Sequence, residues 1–493
     1  METVRELLSP GHAGPALLTA GGEEMDHDAL GRHVDRLATQ LREMGLGPKD
    51  RIAIVLGNGP EMALVLLAVM SVGCAAPLNP RYREEEFRFY LEDLHARALI
   101  GLPGQAVAAR AAASDDTIPI DVRGEGLAID LVGPETSSTA PTGERPTEDD
   151  PVLVLHTSGT TSRPKVVPLR QRNLARSARN IAAWLQLTSG DRSLIVMPLF
   201  HIHGIMAGFL APLSAGGSVV CPPGFDAFAF HRWVDELKPT YYTAVPTMHQ
   251  MVLARAPKKR PTTLRFVRSS SAALPGPVRE GLSSLFDVPV IEAYGMTEAS
   301  HQMACNPLPP GASRPGSVGV ATGIEIGILD SANQLAPPGE RGEVVIKGPT
   351  VIDGYENNPD ANKQAFTDGW FRTGDEGLLD EEGYLFLTGR LKEQINRGGE
   401  KISPLEVEEA LLGHPAVAEA ITFAIPHDAL GEEVGAAVVV EAGHEVTERD
   451  LRSYLSDHLA AFKVPRRIVF VAEIPKGATG KIQRIGLADR LAL

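Results

Sequence analysis

Apolar positions in the first hundred residues alternate between two spacings. Some segments carry apolar residues every three or four positions, or are apolar throughout, and predict helices, whereas shorter apolar runs between them predict buried strands. Helices are predicted at 28–44, 60–72 and 83–94, and strands at 51–56, 74–77 and 98–100. Strands that alternate with helices form a largely parallel sheet with helices on its faces.

The same alternation continues after an exposed segment at 133–150, which is rich in Ser, Thr and Pro. Helices are predicted at 173–184 and 207–213, and strands at 152–155, 193–197, 219–221, 241–245, 265–268 and 288–294. This region therefore predicts a second αβ-layered subdomain. Between 316 and 355 the pattern changes to short strands separated by Gly and Pro, which predicts a small β-barrel or sheet.

The last hundred residues have a pattern of their own and are long enough for a separate small domain. Helices are predicted at 404–412 and 448–459, and strands at 418–425, 433–440 and 467–470. The predicted fold class is α/β, with two αβ-layered subdomains and a small β-barrel in an N-terminal domain and an α+β C-terminal domain. We place the boundary between residues 1–389 and 390–493.

Composition narrows the class of protein. The chain has 493 residues and a net charge of −15, so it lacks the basic balance of a nucleic-acid-binding protein. Its three cysteines form no C-x-x-C pair and are expected to be reduced thiols. The N-terminus has no apolar signal core, and the longest apolar run, 62–78, is broken by Ser, Gly and Pro. We expect a cytoplasmic monomer or homodimer without a membrane partner.

A loop rich in hydroxyl residues follows the predicted strand at 152–155. It reads Thr-Ser-Gly-Thr-Thr-Ser-Arg-Pro-Lys over 157–165. Gly159 lets the backbone approach a ligand closely, successive N–H groups and hydroxyls favour phosphate oxygens, and Lys165 adds a point charge. The loop lacks the second Gly and the Lys-Ser/Thr ending of a Walker A motif. It predicts a polyphosphate site, with a surface turn as the alternative.

Four further segments follow in order along the chain. They are Tyr-Gly-Met-Thr-Glu at 294–298, Trp-Phe-Arg-Thr-Gly-Asp at 370–375, Gly-Arg-Leu-Lys-Glu at 389–393 and Pro-Lys-Gly-Ala-Thr-Gly-Lys at 475–481. Together with the loop at 157–165 they resemble the adenylate-forming superfamily, which includes acyl-CoA synthetases, luciferases and peptide-synthetase adenylation domains. The resemblance covers nearly the full chain. It implies ATP, Mg²⁺ and CoA as ligands, and a C-terminal domain that moves between two half-reactions.

The resemblance assigns a role to each motif. The implied ATP-binding positions are Thr157, Ser158, Gly159, Thr160, Thr161, Lys165, Ala272, Ala273, Tyr294, Gly295, Thr297, Asp375 and Arg390. Tyr294 offers a flat face to adenine, and Asp375 accepts the ribose hydroxyls. Glu298 is a hard oxygen ligand suited to Mg²⁺. Lys481 is expected beside the reacting carboxylate and the α-phosphate, where it neutralises developing charge, and Thr297 can bond a phosphate oxygen. The implied catalytic residues are Lys481, His201, Thr297 and Glu298.

The same resemblance implies a hinge and a thiol channel. Rotation about Lys392 is expected to exchange the segment containing Lys481 for the segment Gly398-Gly399-Glu400, which shapes the CoA channel. One position departs from the family, since Val166 stands where Gly usually follows the loop lysine. Val is costly at positive φ but favourable in extended backbone, and the run that follows predicts an extended conformation.

Three polar residues are expected in the acid pocket: His201, Ser271 and His301. Histidines and a serine suit a small acid with a second carboxylate, because they can donate hydrogen bonds to it. Four segments, at 198–204, 242–250, 396–404 and 461–465, are similar to oxalate–CoA ligases of plants and fungi. In that group the positions matching these three residues hold oxalate. His201 also has an alternative role as the gate of the acyl or thiol channel.

The leading hypothesis is therefore an ATP-dependent oxalate–CoA ligase, or a ligase for another short or aromatic acid. A second hypothesis keeps adenylation but passes another small activated anion, such as nitrite, to an amine. A third is a nucleotide-binding protein without catalysis. Retention of Lys165, Glu298 and Lys481 disfavours the third, because loss of such charges is the simplest route to inactivity.

Overall fold

The chain forms two compact units in a computed structural model that describes residues 2–8, 14–134, 144–157, 164–257, 262–475, 484 and 486–491. The first unit comprises Met1–Leu274, Val278–Ile326 and Ile346–Phe371. The second comprises Pro275–Pro277, Gly327–Val345 and Arg372–Leu493. The chain therefore leaves the first unit and returns to it more than once.

Strands account for most of the regular structure. In chain order they are β1 (Pro15–Thr19), β2 (Glu24–Asp26), β3 (Arg51–Val55), β4 (Cys74–Pro77), β5 (Ala98–Gly101), β6 (Ile118–Glu125), β7 (Ala128–Val132), β8 (Pro151–Thr157), β9 (Lys165–Arg170), β10 (Arg192–Leu194), β11 (Ser218–Cys221), β12 (Tyr241–Ala244), β13 (Phe266–Ser270), β14 (Val290–Met296), β15 (His301–Cys305), β16 (Val320–Ala321), β17 (Glu325–Leu329), β18 (Gly342–Lys347), β19 (Phe366–Thr367), β20 (Trp370–Leu379), β21 (Leu385–Arg390), β22 (Ile395–Arg397), β23 (Glu400–Ile402), β24 (Val417–His427), β25 (Gly431–Val440) and β26 (Arg467–Phe470).

The α-helices lie between these strands. They are α1 (His27–Glu43), α2 (Pro60–Met70), α3 (Glu84–Leu94), α4 (Val107–Ala112), α5 (Gln171–Trp184), α6 (Ala211–Ser214), α7 (Phe230–Leu237), α8 (Pro246–Ala254), α9 (Gly276–Phe286), α10 (Pro359–Ala365), α11 (Pro404–Leu412), α12 (Glu448–His458) and α13 (Leu487–Arg490). A π-helical stretch, Gly204–Leu210, precedes α6.

The first unit contains a seven-stranded sheet in the order β7-β6-β5-β3-β4-β8-β9. Its centre is parallel, from β6 through β5, β3 and β4 to β8. Helix α2 is buried along its whole length except at Glu61, which explains its nearly continuous apolar sequence. The parallel sheet predicted from the alternating pattern is confirmed.

A nine-stranded sheet forms the other layer of the first unit, in the order β16-β15-β14-β13-β12-β10-β11-β1-β2. Strands β12, β13 and β14 are parallel neighbours, whereas β15 runs antiparallel to β14. The carboxyl ends of parallel strands meet at one edge of a sheet, where α/β proteins usually bind ligands. Residues that follow β12, β13 and β14 are therefore brought together.

Two smaller sheets complete the described chain. One has five strands in the order β17-β18-β20-β19, with β21 paired to β20. Sequence analysis predicted a small β-barrel or a sheet after residue 316, and the structure has an open sheet there. The other, in the second unit, has the order β23-β22-β25-β24, with β26 beside β25. Helices α11 and α12 bury one face of this sheet, and α13 lies over β24.

The structure also differs from the sequence prediction near the candidate site. The helix predicted at 207–213 begins as a π-helical stretch and continues as the short helix α6. Strand β15 was not predicted, and His301 is its first residue. Val166 lies within β9, opposite His156, as expected for extended backbone. Within the described chain, no helix has both the length and the apolar character needed to span a bilayer.

Candidate active site

A cluster of polar side chains lies at the carboxyl edge of the nine-stranded sheet. Thr243 of β12 and Arg268 of β13 are direct neighbours in the strand register. Ser271 follows the last residue of β13 with φ +74°, and His301 begins β15 with φ +89°. Positive φ is unusual for such residues and is often found at functional sites. Two of the three predicted acid-pocket residues thus have backbone conformations that their own preferences do not explain.

Arg268 is the centre of this cluster and is fully buried. One terminal nitrogen donates to Thr243 Oγ1 at 3.0 Å. The other donates to Gln302 Oε1 at 2.9 Å and lies 3.1 Å from His301 Nε2. Among the described residues, no carboxylate pairs with this guanidinium. Burial lowers the pKa of Arg268, which is the expected direction for a cation withdrawn from water.

His203 is the histidine that joins Ser271 to the cluster. Its Nδ1 lies 3.1 Å from Ser271 Oγ, and its Nε2 lies 2.6 Å from Thr243 Oγ1. Its ring stacks on that of His301, with centroids 4.8 Å apart. Sequence analysis selected His201 from the same His-Ile-His segment. The ring of His201 lies 4.7 Å from that of Phe200, and the side chain is half-buried.

Sequence analysis missed Arg268, His203, Thr243 and Gln302. The second histidine of the segment was the available signal, since both histidines precede a glycine before an apolar stretch. Arg268 was harder to find because a single arginine in an apolar strand also fits a half-exposed sheet position. Its complete burial is the information that the sequence lacks.

A second cluster contains the predicted phosphate and metal residues. Lys165 begins β9 directly opposite Thr157 of β8. Its Nζ lies 4.2 Å from the centre of the Tyr355 ring, and the Tyr355 hydroxyl donates to Glu298 Oε1 at 2.9 Å. Tyr355 therefore joins the loop lysine to the motif glutamate. Sequence analysis missed Tyr355, which stands in a Gly-Tyr pair without a motif around it.

Burial decides the electrostatics of this cluster. Glu298 is 5% exposed, and burial together with the Glu298 carboxylate raises the pKa of Tyr355. The Tyr355 hydroxyl therefore stays protonated and donates to the carboxylate. Ser158, Gly159, Thr160 and Thr161 lie outside the described residues, so their phosphate contacts stay a prediction.

The adenine motif ends β14 in an irregular turn. The β14–β15 register shifts between Tyr294 and Gly295, and a Cβ on Gly295 would lie 2.0 Å from the His301 carbonyl oxygen. Thr297 and Glu298 belong to the short 3-10 helix that follows. Tyr294 is largely buried, whereas Ala272 and Ala273 are exposed after β13. The glycine is thus required by the close approach of β15, which carries His301.

The predicted ribose residues lie together in the second unit. Asp375 of β20 stands opposite Arg390 of β21, and Arg390 Nε lies 2.9 Å from Asp375 Oδ1. Lys392 is exposed in the turn that follows. Gly398 and Gly399 form the tight turn between β22 and β23, both at positive φ, and Glu400 starts β23. Lys481 lies outside the described residues.

A buried ion triad joins three segments of the second unit. Arg484 binds Glu408 of α11 with two nitrogens, at 2.6 and 3.1 Å, and binds Glu393 at 2.6 Å. Burial raises the pKa of Glu408, and the two carboxylates raise that of Arg484. Arg484 stands three residues after Lys481, and Glu393 directly follows Lys392. The triad therefore connects Arg484 and helix α11 to the predicted hinge turn.

Three groups of predicted site residues are thus formed: the Lys165–Tyr355–Glu298 cluster, the polar cluster around Arg268 and the Asp375–Arg390 pair of the second unit. The AMP-binding enzyme model matches residues 11–356, and the AMP-binding enzyme C-terminal domain model matches residues 406–481. The chain belongs to the AMP-binding enzyme family. It is an AMP-forming acid–thiol ligase.

Individual relatives agree with this class. The chain is 47% identical to the probable CoA ligase CCL9 of Humulus lupulus, over 96% of this chain and 93% of that protein. It is 44% identical to the oxalate–CoA ligase of Arabidopsis thaliana, over 95% and 94%. It is 37% identical to the sulfoacetate–CoA ligase of Cupriavidus necator, over 98% and 94%.

Solved structures have the same fold. ATP-bound MatB from Rhodopseudomonas palustris superposes with a TM-score of 0.88 at 29% identity, covering 99% of this chain and 98% of that one. The o-succinylbenzoate CoA synthetase MenE of Bacillus subtilis, in complex with ATP and magnesium ion, gives 0.83 at 29% identity, covering 98% of each. The predicted α/β fold with a large N-terminal and a small C-terminal domain is confirmed.

Proposed function

We propose that the protein adenylates a small acid with a second anionic group, with oxalate as the best candidate, and transfers the acyl group to CoA. In the first half-reaction a carboxylate oxygen attacks the α-phosphorus of ATP and pyrophosphate leaves. In the second, the CoA sulfur attacks the carbonyl carbon and AMP leaves. Both steps conserve atoms and need no redox partner.

The polar groups of the proposed acid pocket are the reason for choosing a doubly charged acid as the substrate. Its described polar groups are hydroxyls, imidazoles, an amide and one buried guanidinium, and no carboxylate pairs with that guanidinium among the described residues. A buried cation is costly unless an anion or several hydrogen bonds compensate it. A fatty acid has no second anionic group to offer there. Oxalate and sulfoacetate, which the names of two relatives specify, both have one.

The contacts of the Lys165–Tyr355–Glu298 cluster support the roles proposed for it. Lys165 and the loop from Thr157 are expected to bind the β- and γ-phosphates, because the amine is held above the Tyr355 ring. Glu298 is a suitable Mg²⁺ ligand, because its carboxylate has a hard oxygen, Oε2, in addition to the Oε1 that accepts from Tyr355. Mg²⁺, when bound, would offset charge on the phosphates. Thr297 and Tyr294 are proposed to contact the α-phosphate and adenine.

The remaining roles belong to the second unit and the pocket entrance. Asp375 and Arg390 are proposed to hold the ribose, and Lys481 to stabilise charge on the α-phosphate during adenylation. Gly398, Gly399 and Glu400 are proposed to shape the CoA channel after rotation about Lys392. His201 is proposed to contact the acid or to gate its channel, and Ser271 and His301 to hold its second anionic group.

Pyrophosphate release with a substrate panel tests this function. Oxalate, malonate, sulfoacetate, acetate, a medium-chain fatty acid, a cinnamate-type acid and nitrite would each be assayed with and without CoA, and the products identified by mass. We expect CoA-dependent turnover of oxalate that yields oxalyl-CoA. Acetate and the fatty acid, which lack a second anionic group, serve as controls.

Two outcomes would contradict the proposal. Preference for the fatty or aromatic acid would show that the polar cluster does not select the substrate. Nitrite turnover that is indifferent to CoA and requires an aryl amine would move the protein to the diazotising enzymes. The Val166 position gives that alternative no support, because Val166 lies in regular strand β9.

A further inference from the structure

Arg268 has no anionic neighbour in the described part of the chain. Its ionisable neighbours include Cys305 and Tyr241, and burial raises the pKa of both groups, that of Cys305 to about 11. Both are therefore neutral at physiological pH. The guanidinium is held by Thr243, Gln302 and His301 and carries a full positive charge inside the first unit.

A guanidinium can only donate hydrogen bonds, so it fixes the direction of the bonds around it. Arg268 donates to Thr243 Oγ1 at 3.0 Å, and the single hydroxyl hydrogen of Thr243 is then directed to His203 Nε2 at 2.6 Å. The same guanidinium nitrogen lies 3.3 Å from that Nε2, which favours a lone pair there over a second hydrogen. His203 therefore carries its proton on Nδ1.

The proton on His203 Nδ1 extends the series of hydrogen bonds from Arg268 toward the proposed acid pocket. His203 Nδ1 lies 3.1 Å from Ser271 Oγ and donates to it, so the Ser271 hydroxyl hydrogen is directed onward. The same rule holds for His301, whose Nε2 accepts from Arg268 at 3.1 Å. Protonation of either imidazole would add a second cation beside the guanidinium, which like-charge repulsion disfavours. The two rings stack with centroids 4.8 Å apart, so each ring turns its Nε2 toward the Arg268 side of the cluster.

We propose that Arg268 is a specificity-determining positioning residue, which acts through Thr243, His203 and Ser271 to present a hydrogen-bond donor to the second anionic group of the acid. This inference rests on the proposed function and deepens it. Arg268 supplies direction and charge without needing to touch the substrate. Ser271, half-buried at the end of the chain of bonds, is the group that reaches the acid.

Thr243 offers the sharpest test, because Thr243→Val keeps the shape and removes only the hydroxyl. We expect the KM for oxalate to rise about 10-fold or more, the magnitude of one hydrogen bond toward a charged group. The KM values for ATP and CoA should stay within about 2-fold. Thr243→Ser, which restores the hydroxyl, should recover the oxalate KM to within about 3-fold.

Arg268→Lys tests the first residue of this series of hydrogen bonds, since it keeps the charge but loses the planar guanidinium. It should also raise the oxalate KM about 10-fold or more with little change for ATP. Arg265→Lys is the matched control, because Arg265 precedes the same strand, is exposed and pairs with Asp191 at 2.7 Å. Circular dichroism and thermal unfolding would verify that each variant is folded.

The outcomes separate the two claims. Wild-type enzyme that turns over no doubly charged acid with CoA contradicts the proposed function. Wild-type enzyme that uses oxalate, while Thr243→Val keeps its oxalate KM or raises the KM for oxalate and for ATP equally, contradicts the inference alone. Failure of Thr243→Ser to recover the oxalate KM would also overturn it, because the hydroxyl is the only group the argument requires at that position.

Discussion

Tyr355 connects two site residues that are more than 130 positions apart in the sequence. Its ring lies under Lys165 Nζ and its hydroxyl donates to Glu298, so one side chain positions both the amine and the carboxylate. Neither motif contains this tyrosine. The motifs identify the charged groups because their chemistry is local, whereas a residue that only orients them is recognised from contacts.

Tyr355→Phe should raise the KM for MgATP about 10-fold or more and leave the KM for the acid nearly unchanged. The ring under Lys165 remains, but the Glu298 carboxylate loses a hydrogen bond whose worth is about 1.5–3 kcal/mol. Steady-state kinetics at several Mg²⁺ concentrations would measure the effect. Tyr242→Phe is the control, since Tyr242 is buried and bonds His249 at 3.1 Å. Equal effects in both variants would contradict the role of Tyr355.

His249 predicts a pH dependence of stability. Burial lowers its pKa to about 3, against about 6.5 in the unfolded chain. The unfolded chain therefore binds the proton first, and the contribution of neutral His249 is complete above pH 6.5 and is lost as pH falls toward 3. At pH 5 the loss is about 2 kcal/mol.

Urea unfolding of wild type and His249→Asn between pH 7.5 and 4.5 would measure this difference. Tryptophan fluorescence is a suitable probe, because all three tryptophans, Trp184, Trp233 and Trp370, belong to the first unit. The variant should lose stability less steeply as pH falls. His95→Asn, at an exposed left-handed position where Asn is well tolerated, should keep the wild-type slope. A wild-type slope in His249→Asn would refute the assignment.

The β14–β15 pair determines where His301 lies. The register shift at Gly295 lets the His301 carbonyl approach closely, and His301 then starts β15 at positive φ. The sequence predicts β14 from its apolar run but not β15, because two consecutive residues at positive φ interrupt the strand pattern at its start. The π-helical stretch before α6 was also missed, since an apolar run is equally compatible with α-helical spacing.

Gly295→Ala should lower kcat/KM for both ATP and the acid at least about 100-fold. Its Cβ would overlap the His301 carbonyl, and relief requires moving β15; overpacking of this kind costs about 1–3 kcal/mol or more. Thermal unfolding and kinetics would record both effects. Gly57→Ala, where the added Cβ meets nothing within 4 Å, should behave as wild type. Normal activity in Gly295→Ala would show that the bulge is not needed.

The path of the chain through two units could be predicted only in part. Alternating helical and strand patterns predicted the parallel core because each element is long and regular, and the small C-terminal domain because its pattern restarts. Residues 327–345 belong to the second unit because of contacts with residues distant in sequence, which a local pattern does not reveal. The domain boundary at 389/390 stays a prediction, and Lys392 lies within the second unit as its contacts define it.

The two half-reactions should respond oppositely to changes in the C-terminal region. Lys392→Pro fixes φ at the proposed hinge and should slow thioester formation at least about 10-fold more than adenylation. Single-turnover assays of pyrophosphate release and of transfer from preformed acyl-adenylate would separate the steps. Lys392→Ala, which leaves the backbone free, is the control. Equal slowing of both steps would reject the hinge.

Lys481→Ala should show the reverse pattern. Removal of the amine should reduce adenylation at least about 100-fold, because charge on the α-phosphate is no longer offset. Transfer from preformed acyl-adenylate to CoA should continue within a few-fold of the wild-type rate. Lys476→Ala, in the same segment of the sequence, is the matched control. A similar loss in both half-reactions would contradict the role proposed for Lys481.

Cys74, Cys221 and Cys305, the three cysteines of the chain, are all buried in the first unit. Burial raises the pKa of each thiol, to about 12 for Cys74 and about 11 for Cys305. Only a small fraction of each thiol is therefore present as the nucleophilic thiolate. The folded protein should react very slowly with a chromogenic disulfide reagent. Colour development during turnover would then follow the free CoA in solution, and three additional equivalents would appear only when the first unit unfolds.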